Sequence, residues 1–381
     1  YNIGIGYEAG GAITTGFRNT LIGGLAGDVL TDADNNVAMG YGALTADTLG
    51  SGSVALGAGA LNTQNFTTAT TSYNVGIGLD AGKAVTFGTV NTLIGGLAGD
   101  ALTEGNNNVV VGYTALGTDT KGDRNVAIGS AALATQNFTT STDSYNTAVG
   151  HNAGNALTTG FYNSLIGGLS GAALIDADYN VAFGTNALRS DTYGSTSTAI
   201  GYAALTAQDF TTATNSYNTA VGMQAGTAVT TGVQNTLIGG LAGDALIDAD
   251  YNVAIGINAL GADTYGSRSV AIGQESLSTQ NFTTATESYN VGVGFYAGKA
   301  VTTGTHNTFV GGLCGDGTDD GLYNTAVGKG ALSANCGDGN TVMGTVSATS
   351  CTGEWNTTVG YAAGNALTSG DNNLLLGRDA G

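Results

Sequence analysis

The chain has no proline, and it is poor in charge and in chemically reactive side chains: there are two histidines, three cysteines and one tryptophan in 381 residues. A collagen triple helix needs abundant proline and is excluded. Glycine is plentiful, at 65 residues, and disfavours long helices because each interior glycine costs roughly 1 kcal/mol relative to alanine. Since 42% of the residues are hydrophobic, a core can form and disorder is disfavoured.

Basic residues are especially scarce. Nine Lys and Arg stand against 28 Asp and Glu, for a net charge of −19. Binding to nucleic acid or to an anionic membrane surface needs clustered Lys and Arg, and there is no such cluster. No apolar run approaches the roughly 18 residues that a membrane-spanning helix needs. The chain starts at Tyr1 and stops at Gly381 within a repeat, so we expect it to be a segment of a longer polypeptide.

A repeat dominates the sequence. Tyr-Asn recurs every 72 residues, and the super-repeats start at residues 1, 73, 145, 217 and 289. Each of the first four blocks contains four copies of a short unit, N-(V/T)-(A/L/G)-(I/V)-G-x-x-A, spaced by 17, 17, 17 and 21 residues. The fifth block departs from this spacing and contains six copies. We call its first residue the anchor and number the following positions from it. The C-terminal coils of residues 314–381 are irregular, and the whole chain 1–381 contains 22 units in one array.

The unit predicts an all-β fold, a parallel β-solenoid of about 22 short coils. Its apolar stretch is short, rich in β-branched residues and bounded by the turn residues Asn and Gly. A unit this short must stack on its neighbours to bury its apolar side. At about 4.8 Å per coil the stack would be a rod on the order of 100 Å long. The anchors, 19 Asn and three Ser, predict a ladder of stacked side chains.

Both faces of the short strand are apolar, which predicts a partner chain. Positions one and three point to one side and position two to the other, and a strand with one face in water should alternate with polar residues instead. We expect a homotrimer with position two lining its axis; a lateral dimer or a larger bundle is the alternative. The predicted interface residues are Leu21, Leu93, Val110, Leu165, Leu237, Phe309 and Leu375.

Short segments of the chain resemble a known family. NVAIG at 125–129, NTAVG at 146–150, STAIG at 197–201 and SVAIG at 269–273 are similar to the head repeats of YadA-like trimeric autotransporter adhesins. NTLIGGLAGDAL also resembles repeat regions of bacteriophage tail fibres. The resemblance covers essentially the whole chain. It implies a left-handed, trimeric β-roll that is exposed on a cell or virion surface and serves attachment.

The sequence offers little for catalysis. His151 and His306 fall in different coils and lack a partnered Ser or Cys motif. Glycine runs such as residues 4–10 follow from the repeat and lack the helix of a dinucleotide site. No carboxylate pair breaks the repeat, as a glycan hydrolase would require. We therefore predict no enzyme activity.

Clustered acidic residues raise the possibility of calcium. GGLAGDVL at 23–30 is similar to a calcium-binding nonapeptide, and oxygen-rich clusters suit Ca²⁺. The candidate ligands are Asp28, Asp32 and Asp34, with Asp244, Asp248 and Asp250 in a later block. Asp47, Asp119, Asp191 and Asp263 recur on the next coil. The alternative is a solvated acidic corner.

The four-residue insertion in each of the first four blocks suggests further surface chemistry. Its Asn-Phe-Thr at Asn65, Asn137 and Asn281 is an N-glycosylation sequon, as is the sequence at Asn356. Its Phe either projects as a lip or tucks back on the coil. Tyrosines that precede many anchors either stack on sugars or form a ladder between coils.

Two of the cysteines are candidates for a disulfide. Cys336 and Cys351 lie 12 and 11 residues after their anchors, which places them on adjacent coils at a spacing compatible with a bond. Such a bond would fit an extracellular setting. Cys314 stands in the small-residue column at position seven, where we expect it to be buried and inert.

Together these features predict a non-enzymatic fibre shaft or head for surface attachment, as a phage tail fibre or cell-surface adhesin. Its partners would be further copies of the chain and a surface glycan or host-cell receptor. The alternative is a purely structural extracellular filament, or a calcium-stabilised matrix protein without a receptor.

Overall fold

The computed structural model describes all residues from Tyr1 to Gly381, and every regular element in it is a β-strand. The predicted β-solenoid is confirmed: each repeat unit forms one coil, and each coil contributes one three-residue main strand. The chain divides into two compact units, Tyr1–Tyr193 and Gly194–Gly381, and each is a stack of eleven coils.

The main strands begin one residue after each anchor. In the first unit they are Ile3–Ile5, Thr20–Ile22, Val37–Met39, Val54–Leu56, Val75–Ile77, Thr92–Ile94, Val109–Val111, Val126–Ile128, Thr147–Val149, Ser164–Ile166 and Val181–Phe183. In the second unit they are Thr198–Ile200, Thr219–Val221, Thr236–Ile238, Val253–Ile255, Val270–Ile272, Val291–Val293, Thr308–Val310, Thr325–Val327, Thr341–Met343, Thr357–Val359 and Leu374–Leu376.

Successive main strands within each unit pair in parallel and in register. Leu21 of the second coil, for example, pairs with Gly4 below it and Ala38 above it. Each position of the repeat therefore stacks on itself, and the sequence columns become physical columns. A side chain in one column meets the same column of the next coil about 4.8 Å away.

Four short parallel pairs accompany the insertions, which we call lips (residues 64–72, 136–144, 208–216 and 280–288). The paired strands are Gly50–Ser51 with Thr70–Thr71, Gly122–Asp123 with Thr142–Asp143, Gly194–Ser195 with Thr214–Asn215, and Gly266–Ser267 with Thr286–Glu287. Each pair holds its lip against the coil before it.

The anchors form the predicted ladder. The backbone N–H of Asn108 donates to the side-chain oxygen of Asn91 at 3.0 Å, and that of Asn91 donates to Asn74 at 2.9 Å. The Asn91 side-chain amide donates to the carbonyl of Gly105 at 2.8 Å. These groups are buried, and an unpaired buried polar group costs about 1–3 kcal/mol. The column is therefore a stability element that runs through each unit.

The corner glycine at position four is required by its backbone. At Gly95 φ is +133°, and a Cβ there would lie 2.6 Å from the carbonyl oxygen of Gly112 on the next coil. Only glycine adopts this region without strain. The same contact recurs at the stacked corners within each unit, so one glycine per coil is a geometric requirement.

The core is built from positions two and seven, together with leucines at position eight or eleven such as Leu44 and Leu102. Leu21, Leu93 and Phe309 are completely buried, as are the small residues at position seven such as Ala26 and Ala98. A small residue is needed at position seven because the coil interior is narrow and is already filled from position two.

Candidate interaction surface

The predicted interface residues lie inside the coil, so that prediction is wrong. Leu21, Leu93, Val110, Leu165, Leu237 and Phe309 have no exposed surface in the single chain, and a partner chain cannot reach them. Leu375 is half-buried only because its coil is the last of the chain. Position two points into the coil and not towards a partner chain. A period of two residues distinguishes the two faces of a strand but does not show which face is inside.

Positions one and three form the outward face of the main sheet. Met39 is 41% exposed, Phe183 53% and Met343 52%, and most other residues in these columns are half-buried. The exposed residues at position five, among them Tyr41, Tyr113, Tyr202 and Ile257, directly follow the corner. None of the 28 acidic residues stands at position one, three or five of any coil. We call these three columns the acid-free face.

The candidate calcium ligands do not converge. No group of three or more His, Cys, Asp or Glu side chains is arranged to hold a metal. Asp32 accepts a hydrogen bond from the Thr15 hydroxyl at 2.6 Å, and Asp34 accepts one from the Phe17 N–H at 2.9 Å.

The later block repeats this pattern. Asp248 accepts from the Thr231 hydroxyl, and Asp250 from the Val233 N–H, both at 2.8 Å. Asp28 and Asp244 lie on the opposite side of the repeat, at position nine, and burial raises the pKa of both. The carboxylates of Asp32, Asp34, Asp248 and Asp250 thus act as hydrogen-bond acceptors that join one coil to the next.

A buried carboxylate network under the lips was missed by the sequence analysis. Asp119 accepts from the backbone N–H groups of Gly122 and Phe138, both at 3.0 Å, and from the side-chain amide of Gln136 at 2.6 Å. The Gln136 carbonyl oxygen in turn accepts from Asn146 at 2.9 Å. Asp47 with Gln64 and Asp263 with Gln280 repeat the arrangement. The sequence does contain a signal for this network: Asp at position eleven of one coil is followed by Gln at position eleven of the next, once in each block that has a lip.

We expect this network to make the chain more stable in mild acid. Burial raises the pKa of Asp47, Asp119 and Asp263 above the ordinary 3.8, so the folded state favours the protonated carboxyl. Its contribution is complete below pH 3.8 and is lost as pH rises through the raised folded pKa. The melting temperature should therefore increase as the pH falls from 7 towards 4. Exposed ion pairs lower the pKa of Glu275 and Glu287 and act in the opposite direction, but solvent screens them.

The measurement is a series of thermal melts between pH 4 and pH 7 for the natural chain and for Asp119→Asn. The variant should show a smaller dependence on pH, whatever its absolute stability, because one titrating group is gone. A melting temperature that does not increase in the natural chain, or an unchanged slope in the variant, would contradict the assignment.

The lips tuck their phenylalanines against the coil. Phe66, Phe138, Phe210 and Phe282 are between 5% and 7% exposed. Asn137 and Asn281 are exposed and Asn65 is half-buried. Asn356 is an anchor with no exposed surface, and its amide donates to the carbonyl of Gly370 at 2.8 Å. The predicted glycosylation of Asn356 is therefore incompatible with the folded coil.

The predicted disulfide is absent, and Cys336 and Cys351 are free and buried thiols. The Cys336 sulfur lies 3.2 Å from the Thr318 hydroxyl of the preceding coil, and the Cys351 sulfur accepts from the Asn356 amide at 3.5 Å. Each sulfur thus has a partner other than the second cysteine. Burial raises the pKa of Cys314 to about 12 and that of Cys336 to about 11, so these two thiols are poor nucleophiles.

The aromatic column before the anchors is a ladder. Tyr145, Tyr162 and Tyr179 stack nearly parallel, with ring centroids 5.4 and 5.2 Å apart. His306 lies between Tyr289 and Tyr323 in the same column. The ring faces contact one another, which leaves mainly the ring edges for solvent.

The surface clefts are shallow, and their charged groups are paired. One cleft of about 210 Å³ is lined by Asp250, Tyr251, Ser267, Arg268, Ala285, Thr286 and Glu287. Arg268 pairs with Glu287 at 3.0 Å and lies over the ring of Tyr251. Two blocks earlier in the sequence, Arg124 forms an equivalent ion pair with Asp143 at 2.9 Å. These pairs attach the lip to the coil.

No protein-family model matches the chain, and no curated protein matches it. No helix of the structure is long and apolar enough to cross a membrane.

Proposed function

We propose that this chain is a non-enzymatic fibre segment that self-associates and serves surface attachment, as a phage tail fibre or a cell-surface adhesin. One observation carries the proposal: a chain with a net charge of −19 keeps one outward face, which is apolar at position three of every coil, free of acidic residues. The resemblance of its repeats to adhesin heads and tail-fibre regions supports the same role. This role places the chain outside the cell or on a virion.

Charge determines which face is used for self-association. Like charges brought together across an interface cost several kcal/mol, and the acid-free face lets two copies meet without that repulsion. In the first unit alone, 22 residues at positions one and three face outward. We propose a homotrimer built on these columns.

Light scattering tests the assembly. The natural chain should have three times the mass of its 37.5 kDa monomer. Phe183→Glu together with Ile238→Glu puts two charges on the acid-free face and should give 37.5 kDa. Gln234→Glu adds an exposed charge outside that face and should leave the mass unchanged. A monomeric natural chain at micromolar concentration would contradict the proposal.

Attachment is tested on beads coated with the assembled chain. We expect the beads to adhere to cells or to a surface of immobilised glycans, and beads coated with the monomeric variant to adhere less. An assembled fibre that adheres to neither would favour the second candidate, a purely structural extracellular filament. The acid-free face supports both candidates equally, because both require self-association.

A further inference from the structure

Five glycines have no role within their own chain. They stand at position five of the second coil of each block, immediately after the corner glycine, and are Gly24, Gly96, Gly168, Gly240 and Gly312. None has a φ in the left-handed region. A Cβ would meet nothing within 4 Å at Gly168 or Gly240. At the other three it would make only ordinary van der Waals contacts: with ring atoms of Tyr41 at 3.5 and 3.8 Å at Gly24, with a ring atom of Tyr113 at 3.6 Å at Gly96, and with the Phe295 carbonyl oxygen at 3.9 Å at Gly312. Neither backbone conformation nor internal packing requires glycine here.

The same position carries large side chains on the neighbouring coils. In the first coils of the five blocks it is occupied by Tyr7, Leu79, His151, Met223 and Phe295, which are all different. In the second coils it is glycine every time. The missing side chain therefore leaves a notch between large neighbours, and its persistence points to something outside the chain that approaches the backbone closely.

A leucine follows each of these glycines in an unfavourable conformation. Leu25, Leu97, Leu169, Leu241 and Leu313 have φ between +56° and +60°, a region that disfavours residues with a Cβ. Other leucines of the chain, such as Leu44 and Leu116, share this strain but are completely buried in the core. The five leucines after the notches are only half-buried. Core packing therefore offsets the backbone strain of the buried leucines, but it offsets the strain of the five leucines after the notches only in part.

We propose that each Gly-Leu pair is a contact with a second copy of this chain and that these contacts set the axial register between copies. The notch admits the partner closely, and the half-exposed leucine supplies apolar surface beside it. This inference rests on the proposed self-association and specifies how the copies align. It extends the acid-free face, because the notch glycines belong to position five of that face.

The repeat identifies the partner as another copy. Within the first unit the notches recur every four coils, which is roughly 19 Å at the usual rise. A partner that fits one notch fits the next only if it has the same axial period. A second copy of this chain has that period by construction, and its acid-free face brings no acidic residue against this one.

Two sets of substitutions test the register contact in the full chain. Gly168→Gln with Gly240→Gln fills two notches with a residue that the repeat already carries at this position, in Gln274. The control, Ser130→Gln, introduces the same side chain at position five of a fourth coil. We expect the double variant to raise the dissociation constant at least tenfold by analytical ultracentrifugation, and the control to leave it unchanged within twofold.

The second set separates strain from association. Leu169→Asn with Leu241→Asn puts a residue that tolerates the left-handed region at two of the strained positions, and Thr114→Asn is the control at the same position of a third coil. The dilute double variant should be at least as resistant to urea as the natural chain, yet associate at least tenfold more weakly. Loss of both properties would indicate a structural role only and would overturn the inference.

The two proposals fail in different ways. If the natural chain does not associate at all, the proposed assembly fails and takes this inference with it. If the natural chain associates and the glycine and leucine variants associate equally well, the assembly stands and the register contact is wrong. If the glycine and leucine variants fold but associate more weakly, while the control variants associate normally, the result supports both the assembly and the register contact.

Discussion

Gly95→Ala is expected to destabilise the chain by at least about 3 kcal/mol. The new methyl group would meet the carbonyl oxygen of Gly112 at 2.6 Å, and alanine would have to adopt a φ of +133°. Neither problem relaxes locally, because the carbonyl belongs to the backbone of the next coil and that coil is held by its own neighbours. Urea denaturation of the dilute chain, followed by circular dichroism, measures the loss.

Gly168→Ala is the matched control, and it should change the free energy of unfolding in the opposite direction. Its φ is ordinary and nothing lies within 4 Å of the added Cβ. Replacing such a glycine restricts the unfolded chain and stabilises by about 0.4–1 kcal/mol. If the two substitutions had equal effects, the distinction between required and unrequired glycines would be wrong.

The second large effect is expected at the anchors, where the same substitution should have opposite consequences on two coils. Asn91→Ser removes the acceptor of the Asn108 N–H and the donor to the Gly105 carbonyl. Both groups are buried, and at about 1–3 kcal/mol for each unpaired group the loss is roughly 2–6 kcal/mol. The serine side chain is too short to reach either partner.

Asn125→Ser should instead be neutral or stabilise by about 1 kcal/mol. Asn125 lies on a coil with a lip, and its side-chain nitrogen is buried without a partner. Its side-chain oxygen accepts from the Ser144 hydroxyl at 2.8 Å and from the Asn146 N–H at 3.2 Å. In the first block the equivalent N–H, that of Asn74, donates to the Ser72 hydroxyl at 3.4 Å instead. The equivalent anchor in the first block is Ser53, whose hydroxyl pairs with that of Ser72 at 2.6 Å and accepts from the Gln64 amide at 2.8 Å. Ser144 and Gln136 provide the same groups beside Asn125.

Both variants are measured by urea denaturation under identical conditions. The ladder predicts a difference of several kcal/mol between two chemically identical changes. Equal losses would mean that the anchor is needed for its turn conformation alone and that its side-chain bonds contribute little.

The repeat arithmetic predicted the architecture because a solenoid is almost one-dimensional. A 17-residue unit with a short β-rich stretch can bury its apolar side only by stacking, so the coil count, the parallel sheet and the Asn and Gly columns all follow from the spacing. The prediction failed for residues whose burial depends on which face of the strand points into the coil. Leu21 and Leu165 were placed outside although they are buried, because alternation separates two faces without orienting either one.

The partners of polar side chains also required coordinates. Asp119 and its equivalents read as possible calcium ligands, but in the coil each is enclosed by a lip whose backbone N–H groups it accepts. Cys336 and Cys351 fall on adjacent coils as predicted, yet their sulfurs contact Thr318 and Asn356. Spacing along the chain locates a residue to within one coil, whereas a bond depends on side-chain direction within about an ångström.

The amino-acid sequence by itself determined the stacked coils, the column of anchors and the one glycine per coil, since each follows from a period and from the conformations that Asn and Gly allow. Only the tertiary structure decided which face is interior and which glycines are required. Gly95 and Gly96 are adjacent and recur equally in the sequence, yet a Cβ collides with backbone at the first and has ordinary space at the second. That difference arises from contacts with the coil stacked above, and the sequence of a single repeat does not show those contacts.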